Sequence, residues 1–159
     1  MGKFVIVEND KVKGVDKHKI SGPVAAPPPP TYTGVGDYEY NGKMAEQLSS
    51  FIRINGQPVA ITSSKSALDP GEDVSGGHAG PQGKNLFPPA PEPEPTQLKI
   101  IDKPIGTGSP SATSGSTFVK SNGIAILLDG DKIDTCDGLG TPMNSSVTAG
   151  QQDFVSCAQ

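Results

Sequence analysis

The chain has 159 residues, a formal net charge of −4 and no tryptophan, and only 33% of it is hydrophobic. Gly and Pro together make up about 23% of it, just under the range of low-complexity chains. This predicts one domain with a thin core and long polar connections, and the acidic balance argues against nucleic acid as a partner.

Residues 3–20 read as a strand or hairpin: Phe4 to Val7, a turn at Asn9-Asp10, then Val12 to Val15 and Asp16-Lys17-His18. No signal peptide opens this stretch and no run reaches membrane-spanning length, so synthesis in the cytoplasm with reduced thiols is expected. Residues 21–36 hold breakers, among them Pro27 to Pro30, which favour a polyproline connector. Lys43 to Leu48 is the one place where a helical turn is expected.

Ser50 to Ile61 contains the strongest local signal. Asn55-Gly56 between apolar runs predicts a type I′ hairpin, since that turn needs φ > 0 at both central residues. Pairing Ile54 with Gln57 sets Arg53 opposite Pro58, Ile52 opposite Val59 and Ser50 opposite Ile61. Ile52, Ile54, Val59 and Ile61 then share one face. The pattern returns 67 residues later: Phe118 matches Phe51, Asn122-Gly123 matches Asn55-Gly56, and Val119, Ile126 and Leu128 keep the apolar face. Between the copies lie a Gly-rich loop with His78 and a second Pro-rich run, Pro88 to Pro95, expected to be extended and solvated. Gln97 to Ile101 reads as a further strand. The fold class is therefore all-β, built from repeated hairpins with long Pro/Gly-rich loops and little helix.

The only histidines and cysteines are His18, His78, Cys136 and Cys157. Together they form a Cys₂His₂ set of the kind that holds structural Zn²⁺, without zinc-finger spacing. Their other readings are a solvated loop histidine and a pair of cysteines that are buried thiols or a disulfide. No Ser/His/Asp or Cys/His grouping is evident, so an enzyme is not expected. Asp129, Asp131 and Asp134 lack the closing Glu of an EF-hand loop, and Gly106 to Ser116 lacks a phosphate-loop ending.

The repeat resembles that of PAAR-repeat spike-tip proteins of contractile injection systems, meaning type VI secretion and phage-tail-like particles. The residues that carry the likeness are Ser50-Phe-Ile-Arg-Ile-Asn-Gly-Gln-Pro-Val-Ala60, Asn122 to Ile126, Gly130-Asp131, Asp16-Lys17-His18 and Gly77-His78. Ile61 replaces the motif arginine, and the second copy lacks the proline as well. The resemblance implies a small pointed cone of repeated hairpins, a single domain over 1–159 with Pro-rich insertions at about 23–47 and 82–96. It implies one structural zinc per chain on His18, His78, Cys136 and Cys157. It further implies a mechanical, non-enzymatic role: one copy capping a trimeric β-helical spike of the valine–glycine-repeat or phage type and sharpening it for membrane piercing. Such a tip is made in the cytoplasm, assembled at the particle tip, and delivered extracellularly or into a target cell, with effectors or cargo as further partners and the target membrane met transiently. The contrasting expectation is a zinc-free adhesion or carbohydrate-binding module that uses Tyr38, Tyr40 and Phe87.

Overall fold

A computed structural model of the chain describes residues 2–69, 83–103 and 106–158, and among these there is no helix. The strands are β1 (Lys3–Phe4), β2 (Lys11–Pro23), β3 (Thr31–Glu46), β4 (Arg53–Ile54), β5 (Gln57–Pro58), β6 (Lys65–Leu68) and β7 (Lys84–Phe87). They continue with β8 (Lys99–Ile100), β9 (Thr107–Pro110), β10 (Lys120–Ser121), β11 (Ile124–Ala125), β12 (Lys132–Asp134), β13 (Ser145–Thr148) and β14 (Ser156–Cys157). The all-β expectation holds.

The two long strands form the spine. β2 alternates lysines outward with Val12, Asp16, His18 and Ile20 inward, the period of two that a half-buried strand requires. β3 does the same with Tyr38, Tyr40, Gly42 and Met44. Across the pair, large inward residues face small ones: Val12 meets Gly42, Tyr40 meets Gly14, His18 meets Gly36 and Tyr32 meets Gly22. The interior is narrow enough that a Cβ on Gly14 would collide with Ser145, and one on Gly42 with the Ala67 carbonyl.

Six strands close into a barrel, in the order β2–β3–β6–β9–β12–β13 and back to β2, with every pairing antiparallel. Closure leaves no edge over this part of the sheet. β7 and β8 then flank the far halves of β3 and β2.

At one end the barrel stands on a base built by one pattern used three times. Ile6 N–H donates to the Leu127 carbonyl at 3.0 Å, Leu127 N–H to Ala60 at 2.9 Å, and Ala60 N–H back to Ile6 at 2.9 Å. Isolated bridges Val7–Val59, Ile61–Ile126 and Val5–Leu128 repeat the same cycle. The turn leaving each segment is capped alike, with the N–H of Val7, Ile61 and Leu128 donating to Asp10, Ser64 and Asp131. Each segment also adjoins an antiparallel strand pair: the hairpins β4–β5 and β10–β11, and the hairpin-like pair β1–β14. The third of these joins the two ends of the chain, Lys3 opposite Cys157 and Phe4 opposite Ser156.

The first two hairpins carry the expected register, Ile54 with Gln57 and Arg53 with Pro58, and Ser121 with Ile124. Asn55, Gly56, Asn122 and Gly123 all have positive φ, between 49° and 81°. Ile54, Val59, Ile61, Ile126 and Leu128 share one buried cluster with Val5 and Val7, and Ile52 and Val119 pack against it. No neighbour lies within 4 Å of a Cβ added at Gly123. Gly123→Val should therefore cost only backbone strain, about 1–3 kcal/mol, whereas Gly150→Ala, equally open, should stay within about 0.5 kcal/mol. Urea titration of the two variants checks this.

Three expectations are corrected. Lys43–Leu48 forms no helical turn. β3 continues to Glu46, and the Met44 N–H donates to the Asp10 carbonyl because Met44 is needed in the core. Within the segment at about 23–47, most residues form β3, the longest strand. In the second Pro-rich segment, residues 84–87 form β7 beside β3, and Pro95 bridges Val24. Finally, Phe4–Val7 does not fold back on Val12–Val15. The first hairpin keeps Ile52 with Val59, whose N–H donates to the Ile52 carbonyl at 3.0 Å, but beyond Val59 the strands part, so that Ile61 bridges Ile126 rather than facing Ser50. Two short apolar faces can be buried only against each other, which favours the three-segment ring.

Candidate metal centre

Above the base, a second cluster fills the barrel with Ile6, Val12, Tyr40, Met44, Leu127, Ile133 and Val147, and Cys136 lies at its margin. A third cluster, Ile20, Val24, Tyr32 and Tyr38, closes the far end of the spine. Asp16 and His18 sit on β2 between residues of these two clusters. Being two positions apart on a strand, they face the same way, and both are fully buried.

The chain is stitched so that Cys136 meets them. Just past Cys136, the Gly138 N–H donates to the Lys17 carbonyl at 2.8 Å, and the Lys17 N–H returns a bond to Asp137 Oδ2 at 2.9 Å. Cys136 Sγ then lies 2.9 Å from Asp16 Oδ2. The other oxygen, Asp16 Oδ1, accepts from Thr135 Oγ1 at 2.5 Å and Asn144 Nδ2 at 2.6 Å. His18 Nδ1 is 3.0 Å from Asp102 Oδ1, and its ring stands edge-on to Tyr38 with centroids 5.4 Å apart.

Asp16, His18 and Cys136 thus form a buried cluster that can hold a metal ion, each offering one ligand atom, all within 4.8 Å of one another. The fit can be checked against coordination chemistry. Tetrahedral zinc with bonds of roughly 2.0–2.3 Å sets its ligands about 3.3–3.8 Å apart, inside that limit. The donors are an imidazole nitrogen, a sulfur and a carboxylate oxygen, a set suited to a borderline-soft ion. An ion held there would cross-link β2 to the segment after β12.

His18 and Cys136 come together. His78 lies outside the described residues. Cys157 is in β14 opposite Lys3, packed against the base cluster rather than in the barrel, and it forms no disulfide with Cys136. Asp16 and Asp102 were missed as site residues. For Asp16 a signal was present, because Asp-x-His on a strand puts a carboxylate and an imidazole on one face. Asp102 had no local signal at all.

Burial first, and then the Asp16 carboxylate, push the Cys136 thiol well above its ordinary range. Without metal the group therefore stays protonated and donates S–H to Asp16. Its folded pKa exceeds its unfolded one, so its contribution to stability is complete below about pH 8.5 and is lost progressively as pH rises further. Metal-free protein should accordingly lose stability above that pH, and Cys136→Ser should flatten the loss; denaturant midpoints from pH 7 to 10 measure it. Metal uptake runs the other way, displacing the thiol proton and strengthening as pH rises.

No family model matches the chain, and no curated protein or solved structure does so either. The described residues define the class: an all-β protein with a closed six-stranded barrel on a base of two hairpins and a hairpin-like pair of terminal strands, with a buried cluster that could hold a metal ion.

Proposed function

We propose that this protein is a PAAR-like spike tip, a non-enzymatic cap seated as a single copy on a trimeric spike of a contractile injection particle. One observation carries the reading. The base presents two hairpins and a hairpin-like pair of terminal strands, and each exposes a phenylalanine at the matching position: Phe51 at 83%, Phe118 at 73% and Phe154 at 58% exposure. Their equivalence is visible in the backbone. The N–H groups of Phe51 and Ile52 donate to Ser49 Oγ, those of Phe118 and Val119 to Ser116 Oγ, and those of Phe154 and Val155 to Gln152 Oε1. A monomer with three like apolar contacts around one axis suits a partner with threefold symmetry. A groove of about 280 Å³ between the first two hairpins, where Phe51, Ile61 and Ile124 meet Ser49, Ser121 and Asn122, adds a mixed polar and apolar surface for such a contact.

In this reading the spine hairpin points away from the spike, toward the membrane, and structural zinc on Asp16, His18 and Cys136 resists its splaying under load. A carbohydrate-binding surface built on Tyr38, Tyr40 and Phe87 is disfavoured, because Tyr38 and Tyr40 are buried in the interior. Native mass spectrometry with a trimeric spike of this class should give one tip per three spike chains. A tip that assembles as its own homotrimer would overturn this stoichiometry.

A further inference from the structure

The geometry points to Asp102 as the residue that selects which nitrogen of His18 faces the metal, an inference that rests on the metal reading above. An ionised carboxylate can only accept hydrogen bonds, so the contact between Asp102 Oδ1 and His18 Nδ1 at 3.0 Å places the proton on Nδ1. Nε2 then carries the lone pair and becomes the ligand atom. Carboxylate–histidine–metal chains of this kind fix ring orientation and raise ligand basicity.

Asp102 is built into position from two sides. Its Oδ2 accepts the Lys19 N–H at 2.7 Å, which ties it to the strand that carries His18. Its carboxylate also occupies the space that a side chain on residue 138 would take, since a Cβ on Gly138 would collide with Oδ2. Gly138 lies two residues beyond Cys136. The same short segment therefore delivers one ligand and leaves room for the group that orients another. Asp102 is a positioning residue, and neither it nor Gly138 is itself a ligand.

The test uses the full chain with zinc as the only metal. Zinc affinity is measured by chelator competition for wild type, Asp102→Asn, Asp102→Glu and Gly138→Ala, and the His18 tautomer by long-range proton–nitrogen-15 correlation. Zinc-loaded wild type should show a protonated Nδ1 and a metal-bound Nε2. Asp102→Asn and Gly138→Ala should each bind about 10- to 100-fold more weakly, and Asp102→Glu should recover part of the loss. Should Asp102→Asn fail to fold, Gly138→Ala and the wild-type tautomer still decide. Wild type that takes up no zinc overturns the metal reading and this inference together. Wild type that binds zinc through Nδ1, or an Asp102→Asn variant of unchanged affinity, overturns the Asp102 assignment alone.

Discussion

Replacing Phe51, Phe118 and Phe154 together with serine should abolish association with a trimeric spike while leaving the tip folded. All three side chains are exposed, so little core packing is lost. Aromatic anchors at the centre of an interface commonly contribute about 2 kcal/mol or more each. Even with imperfect additivity, losing three should weaken binding by about 10⁴-fold or more. Single replacements should each weaken it by roughly 30-fold, and to similar extents, because the three positions are equivalent. Surface-immobilised spike trimer titrated with each variant measures this. Retention of full affinity by the triple variant would move the docking face elsewhere.

Removing metal should produce the second large effect. Zinc held at about 1,000 times its dissociation constant stabilises a folded site by about 4 kcal/mol. For a chain of this size that is about 8–16 °C in melting temperature. Chelation should lower the wild-type transition by such an amount. Asp16→Ala, His18→Ala and Cys136→Ser should lose zinc and respond little to chelator, whereas Cys157→Ser should keep its zinc, because Cys157 packs against the base and not in the metal centre. Elemental analysis beside calorimetry checks both. A wild-type transition indifferent to chelator, with no zinc in the protein, would remove the structural-metal reading and leave the threefold docking face as a separate question.

Two strand pairs out of three were legible because each is a contiguous hairpin. Asn-Gly sits between apolar runs, and the turn chemistry and register are decided within about ten residues. The third uses the same design but joins Lys3–Phe4 to Ser156–Cys157, so no window along the chain contains it. Its phenylalanine, Phe154, and its capping group, Gln152, lie in a tail that looks featureless by itself. Reading Phe4–Val7 and Val12–Val15 as a hairpin was the local solution to a pairing that is non-local.

Composition and turn chemistry by themselves determined that this protein is all-β, thin-cored and built on a repeated hairpin, because positive-φ turns and two-residue periodicity are local properties. Only the tertiary structure decided the rest. A run rich in Gly and Tyr, Thr31–Glu46, became the longest strand because its small residues face the large ones of β2 inside a narrow barrel. Cys136 became a neighbour of Asp16 across 120 residues of chain through backbone bonds at Lys17 and Gly138. Asp102 reached His18 only because residue 138 has no side chain to keep it out. Each of these depends on a contact between distant segments, where close packing, rather than local preference, selects the partner.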